Sequence, residues 1–97
     1  MRNFIFTRKK KFFAAMIIYQ IKIDDIIVAT IRNGEKISVS ADSGQHKVQC
    51  IASIPGESGG YYPLFSDIVY IQNGETDINL FIEPAFASIK LTKQTNN

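Results

Sequence analysis

Ninety-seven residues, 45% of them hydrophobic, are enough for one domain around one core and too apolar for a disordered chain. The formal charge of +2 is bland, but Arg2, Arg8, Lys9, Lys10 and Lys11 put +5 into the first eleven residues, and the other six Lys/Arg against nine Asp/Glu leave −3 for the remainder. Cys50 is the single cysteine, which excludes an internal disulfide and leaves the core alone to hold the fold.

The kind of apolar residue points to β-structure. Isoleucine is abundant, Phe and Tyr supply all of the 11% aromatic content, and Leu occurs only three times. Branched and aromatic side chains suit a pleated, half-buried surface, whereas the good helix formers are scarce. Residues 3–7 alternate weakly and predict a first strand. Arg8, Lys9, Lys10 and Lys11 follow as an exposed, charged connection or edge. Residues 12–19 are a continuous apolar run leading into a second strand, in which Tyr19, Ile21 and Ile23 share one face and Gln20 and Lys22 the other. The basic run and apolar run together mimic a secretion signal. Eight apolar residues are too few for a span of about 20, however, and no small-residue cleavage site follows. The expected location is cytoplasmic or peripheral to the membrane.

Asp24-Asp25 offers turn chemistry. Residues 26–31 are nearly all apolar, so their facing is ambiguous. Asn33-Gly34 predicts a type I′ hairpin, after which Ile37, Val39 and Ala41 alternate with Lys36, Ser38 and Ser40. Ser43-Gly44 turns the chain again, and Val48, Cys50 and Ala52 share a face with His46 at its rim. Residues 53–65 contain three Gly and two Pro and predict the one long loop. A strand over residues 66–71, a turn at Asn73-Gly74 and an alternating strand with Ile78, Leu80 and Ile82 come next. Pro84 is expected to break that strand, and a last one carries Ile89 and Leu91. Ile31-Arg32-Asn33-Gly34-Glu35 and Ile71-Gln72-Asn73-Gly74-Glu75 echo each other, an echo that two Asn-Gly turns account for by themselves. The expected architecture is all-β: a two-layer antiparallel β-sandwich of about seven or eight strands, forming one domain over residues 1–93 with a polar tail at 94–97. A closed barrel is the alternative.

The stretch from Arg8 to Phe13, Ile21-Lys22-Ile23-Asp24, Ile31-Arg32-Asn33-Gly34, Ser43-Gly44-Gln45-His46 and, more loosely, Asn73-Gly74-Glu75-Thr76 resembles the PEGA-like family of small bacterial β-sandwich domains. Asp25 stands where that family usually has Gly, and Ser43 where it has Pro; both suit turns. The resemblance covers residues 5–52 and, loosely, 66–82. It implies an immunoglobulin-like or prealbumin-like sandwich, a bacterial source and an association with the cell envelope or with larger proteins. It brings no catalytic residues with it.

Chemistry-bearing residues are sparse. His46 and Cys50 lie four apart, which on an extended strand separates them by about 13 Å, too far to share a metal or act as a catalytic pair. His46 therefore reads as a turn-closing residue bonded to a backbone carbonyl, and Cys50 as a small core residue. Asp24 and Asp25 read as turn residues rather than paired carboxylates. No phosphate loop, nucleophile elbow or zinc spacing is present, so the reading is non-enzymatic with no cofactor or metal.

Three features suit binding. Tyr61, Tyr62 and Phe65 on the 55–65 loop form a candidate contact patch for a protein partner. Arg8, Lys9, Lys10 and Lys11, next to Phe12 and Phe13, form a candidate strip for an anionic membrane surface, at about 1 kcal/mol per basic residue. No further basic cluster supports a nucleic-acid footprint. Any free sheet edge can accept an extended partner strand. The leading expectation is an interaction module, with membrane-surface association or small-ligand or carbohydrate binding as alternatives.

Overall fold

A computed structural model of the chain describes residues 1–12, 14–56, 58–85 and 87–94. It is all-β, with nine strands and no helix among those residues: β1 (Arg2–Arg8), β2 (Tyr19–Ile23), β3 (Ile26–Ile31), β4 (Lys36–Ala41), β5 (His46–Pro55), β6 (Tyr61–Phe65), β7 (Val69–Ile71), β8 (Ile78–Ala85) and β9 (Ser88–Lys93). Accordingly, no helix there is long and apolar enough to cross a membrane.

The strands form two layers. Sheet A has the order β4-β1-β8-β9, and sheet B the order β3-β2-β5-β6, with β7 also pairing with β5. Alternation builds the core between them. Phe4, Phe6, Leu80, Ile82, Ile89 and Leu91 point in from sheet A, and Tyr19, Ile21, Ile23, Ile31, Val48, Cys50, Ala52 and Ile71 from sheet B. Burying one large side chain of this kind contributes about 1.5–3 kcal/mol. The expected sandwich is present, with one departure: β1 and β8 run parallel, in the register Phe4↔Ile78 to Arg8↔Ile82.

Local readings meet the structure unevenly. Asp24 (φ 52°) and Asp25 (φ 68°) both take left-handed backbone between the paired Ile23 and Ile26, so the tight two-residue hairpin with positive φ at both central positions is here. Asn33-Gly34, expected to close such a hairpin, instead carries the chain from sheet B to sheet A. Only Gly34 has a positive φ (76°), and the Glu35 N–H bonds the Arg32 carbonyl at 3.0 Å. Asn73-Gly74 likewise leads from β7 in sheet B to β8 in sheet A. The two echoing segments thus perform the same crossing, each with its buried Ile as the last sheet-B residue.

The expected long loop is mostly strand. β5 runs on to Pro55 and pairs with β6 from Ile51↔Phe65 to Pro55↔Tyr61. Pro63 is tolerated because β6 lies at a sheet edge. Pro84 does not break β8 either; it pairs opposite Ile89. The strand expected over residues 66–71 shortens to β7, with Ser66 making a single bridge to Ile89. Residues 14–18 do not extend β2, which starts at Tyr19. Of the polar tail, Gln94 donates its N–H to the Asn79 carbonyl at 2.9 Å, and residues 95–97 lie outside the described residues.

Candidate functional site

The candidate aromatic surface begins with the β5–β6 hairpin. Gly59 (φ 90°) and Gly60 (φ 72°) take left-handed backbone that other residues adopt at a cost, and the Gly56 N–H bonds the Gly60 carbonyl at 3.0 Å. The hairpin sets Tyr61, Tyr62 and Phe65 on the edge strand of sheet B, where they are 75%, 50% and 51% exposed. Strand alternation separates them: Tyr61 and Phe65, opposite Pro55 and Ile51, face outward from the sheet, and Tyr62, opposite Ile54, faces the other way.

Tyr61 does not stand alone. With Met16, Ile17, Ile18, Ser53 and Pro55 it lines a shallow apolar groove of about 590 Å³ across the outer face of sheet B. Met16 is almost wholly exposed and Ile18 nearly half exposed. These two residues were missed in the sequence, where the run from residue 12 to 19 looked like a lead-in to β2. The available signal was its lack of period-two alternation.

Arg8 holds that segment in place. It was expected on an exposed basic strip, but it is buried (1% exposed) because β1 alternates inward at Arg2, Phe4, Phe6 and Arg8. Its guanidinium carbon lies 3.7 Å from the centroid of the Tyr19 ring. Nη1 donates to the Ile17 carbonyl at 2.6 Å and to the Ile31 carbonyl at 2.9 Å, and Nη2 donates to the Ala14 carbonyl at 3.0 Å. Burial lowers the Arg8 pKa from its ordinary value, against the pull of Tyr19. The charge is therefore met by carbonyl dipoles and a ring face rather than by a carboxylate. Of the basic strip, Lys9 and Lys10 stay exposed and Lys11 is half-buried, its N–H bonded to Asn33 Oδ1 at 3.0 Å. Phe12 beside them is fully exposed, and Phe13 lies outside the described residues.

The opposite end of the sandwich holds the only histidine. His46 was expected to bond a carbonyl; it does more. Nδ1 lies 2.6 Å from Asp24 Oδ2, and Nε2 lies 3.0 Å from Asp42 Oδ1 and 3.2 Å from the Asp42 carbonyl. Its ring meets Phe4 edge-on, with centroids 5.6 Å apart. The Asp24 carboxylate, more than any other contact, raises the His46 pKa above the ordinary imidazole range. Asp24 is lowered, first by the Lys47 N–H and then by His46, and Asp42 is lowered, first by the Gly44 N–H and then by His46. When protonated, the imidazole can donate to two carboxylates from two different turns. Both ring nitrogens are thereby occupied, and a general base needs one free toward its nucleophile. Asp25 turns away to Lys47 Nζ at 2.8 Å. Cys50 is fully buried on the same strand face as His46, and burial pushes its thiol up to about 12. Among the described residues no group of three or more His, Cys, Asp or Glu is placed to hold a metal.

The chain matches no family model, no curated protein and no solved structure.

Proposed function

We propose that the chain is a non-enzymatic β-sandwich interaction module that seats a protein partner on the groove formed by Tyr61, Met16 and Ile18, with Phe65 continuing the contact along β6. One observation carries this reading: a large, exposed, apolar surface is built on rigid elements, one wall a hydrogen-bonded edge strand and the other a segment tied down by a buried arginine. Tyr and Met are suited to such surfaces, giving broad contact at modest ordering cost. The turns at Asp24-Asp25, Asn33-Gly34 and Ser43-Gly44 support kinship with PEGA-like domains, a kinship that adds no chemistry of its own.

The test is capture of partners from a lysate of the source cells, followed by calorimetry with the purified partner, comparing wild type with a Tyr61→Ser/Phe65→Ser variant and with Met16→Ser. Each anchor is expected to be worth about 2 kcal/mol of affinity. A partner bound equally by wild type and all variants overturns the reading.

A second reading has an observation of its own. Lys9 and Lys10 are exposed, and so are Phe12 and Met16 a few positions on in the chain, a basic and apolar combination suited to an anionic membrane surface. It predicts co-sedimentation with vesicles rich in anionic lipid, lost on adding salt and lost in Lys9→Ser/Lys10→Ser. Binding that is indifferent to salt removes it.

A further inference from the structure

Among the described residues the sheet edges are β4 and β9 in sheet A and, in sheet B, β3 on one side and β6 with the three-residue β7 on the other; β7 is very short, and β4, β9 and β6 carry ordinary protection against strand addition. β4 presents Lys36, Ser38 and Ser40 to solvent. β9 carries Lys90 and Lys93. β6 has Pro63 at its centre, which removes a backbone donor from the free edge or from the ladder. β3 has no such charge or proline, and only a bulge interrupts its edge. Its sequence, Ile-Ile-Val-Ala-Thr-Ile, holds neither a charge nor a proline, and among the described residues β2 is its only ladder partner. The register skips Val28, since Ile21 pairs with Ala29 and Lys22 with Ile27. Beside this bulge, Ile26, Ile27 and Val28 are 65%, 50% and 42% exposed in succession. Between β3 and the facing edge of β4 runs a groove of about 290 Å³, lined in part by Ile26, Val28 and Val39, which gives room for the side chains of an added strand.

The charges at the two ends of β3 select the occupant. Asp25, whose carboxylate also meets Lys47 Nζ at 2.8 Å, precedes the strand and Arg32 follows it, and both are exposed. A second copy laid antiparallel about a twofold axis through the middle of β3 brings Asp25 of each copy opposite Arg32 of the other. A parallel copy would instead set like charges together. We propose that β3 is a self-association edge at which two copies of this chain pair antiparallel, joining two B sheets into one continuous sheet. The β6 edge lies on the far side of each B sheet from β3, so the dimer leaves Tyr61 and Phe65 of both copies exposed, although the groove itself reaches across to Thr30 of β3.

Sedimentation velocity over a concentration series tests this. Wild type is expected to show a concentration-dependent monomer–dimer equilibrium. Ile27→Lys, which supplies the missing edge charge at a half-exposed site, is expected to weaken the dimer at least tenfold, with the far-UV spectrum and melting temperature of wild type confirming the fold. Arg32→Glu is expected to weaken it several-fold at low salt, and adding Asp25→Asn to that variant to recover part of the loss, since Asn suits the left-handed turn and removes the carboxylate facing Glu. Wild type that stays monomeric to its solubility limit overturns the proposal. So does a dimer indifferent to Ile27→Lys, and a dimer sensitive to Ile27→Lys but indifferent to Arg32→Glu overturns the antiparallel arrangement.

Discussion

The two ends of the sandwich are closed by the same device and differ in what stands beside it. At one end Arg8 donates to the Ile31 carbonyl, just before the first Asn-Gly crossing; at the other Arg2 donates to the Gln72 carbonyl, just before the second. Arg2 also donates to the Gly44 carbonyl at 3.2 Å, and its guanidinium carbon lies 5.4 Å from the Phe4 centroid. Both arginines come from β1, both are buried, and the Nε of each has no partner among the described residues. At the Arg8 end the remaining donors fasten residues 14–17 and so shape the apolar groove. At the Arg2 end the neighbour is His46 with its two carboxylates. Both ends are closed by a group that stays charged at any ordinary pH; only at the second does an imidazole stand beside it, its pKa raised first by the Asp24 carboxylate. The comparison teaches that the surface proposed to bind partners rests on the pH-insensitive end.

Removing Arg8 should break this comparison most severely. Arg8→Ala leaves three carbonyls without their donor and is expected to cost about 3–5 kcal/mol of stability in urea unfolding, whereas Arg8→Lys, which keeps the charge but not the planar stack on Tyr19, is expected to cost about half of that. Because the Cys50 thiol is buried and pushed up to about 12, its labelling at mild alkaline pH should follow unfolding and accelerate in step with the Arg8 loss. Arg2→Ala is expected to cost about 2–3 kcal/mol, having fewer bonds to lose.

The His46 end sharpens the contrast through pH. The raised imidazole contributes stability that is complete below its unfolded value, about 6.5, and is lost as pH rises through the folded one. The lowered Asp24 and Asp42 contribute stability that is complete above about 3.9 and is lost as pH falls through their folded values. The melting-temperature difference between wild type and His46→Gln should therefore be largest between about pH 4 and 6.5 and shrink on both sides, with a loss of about 1 kcal/mol at its maximum. Variants of Arg8 should show no such pH window.

The smallest effect on stability belongs to the surface itself. Tyr61→Ser/Phe65→Ser and Met16→Ser remove mostly exposed side chains, so unfolding should shift by less than about 0.5 kcal/mol per site while partner affinity falls. A large loss of stability in these variants would mean that the aromatics pack rather than bind.

The fold was legible because alternation is a local signal. Tyr19, Ile21 and Ile23, then Val48, Cys50 and Ala52, and again Ile78, Leu80 and Ile82 name their own inward faces. What stayed hidden depended on partners distant in the chain. Asn33-Gly34 looks like a hairpin in any sequence window; only the placement of β1 between β4 and β8 makes it a crossing between sheets. Arg8 looked like the start of a solvated basic run, and its burial follows from the register of β1 and from the carbonyls of Ala14, Ile17 and Ile31 arriving around it. Tyr61, Tyr62 and Phe65 were found as exposed aromatics, but Gly and Pro disguised their strand as a loop. Met16 and Ile18 could not be joined to Tyr61 before the strands were ordered.

The parallel pairing of β1 with β8 also bears on how the chain reaches this state. Phe4 meets Ile78, so the central pair of sheet A closes across 74 positions of sequence. Hairpins such as β2–β3 and β5–β6 can form from neighbours within microseconds, but sheet A has no such shortcut at its centre. Until β8 arrives, β1 has one flank open. Folding should then be governed by one late, long-range closure, and the exposed β1 edge is the surface most in need of protection during that wait.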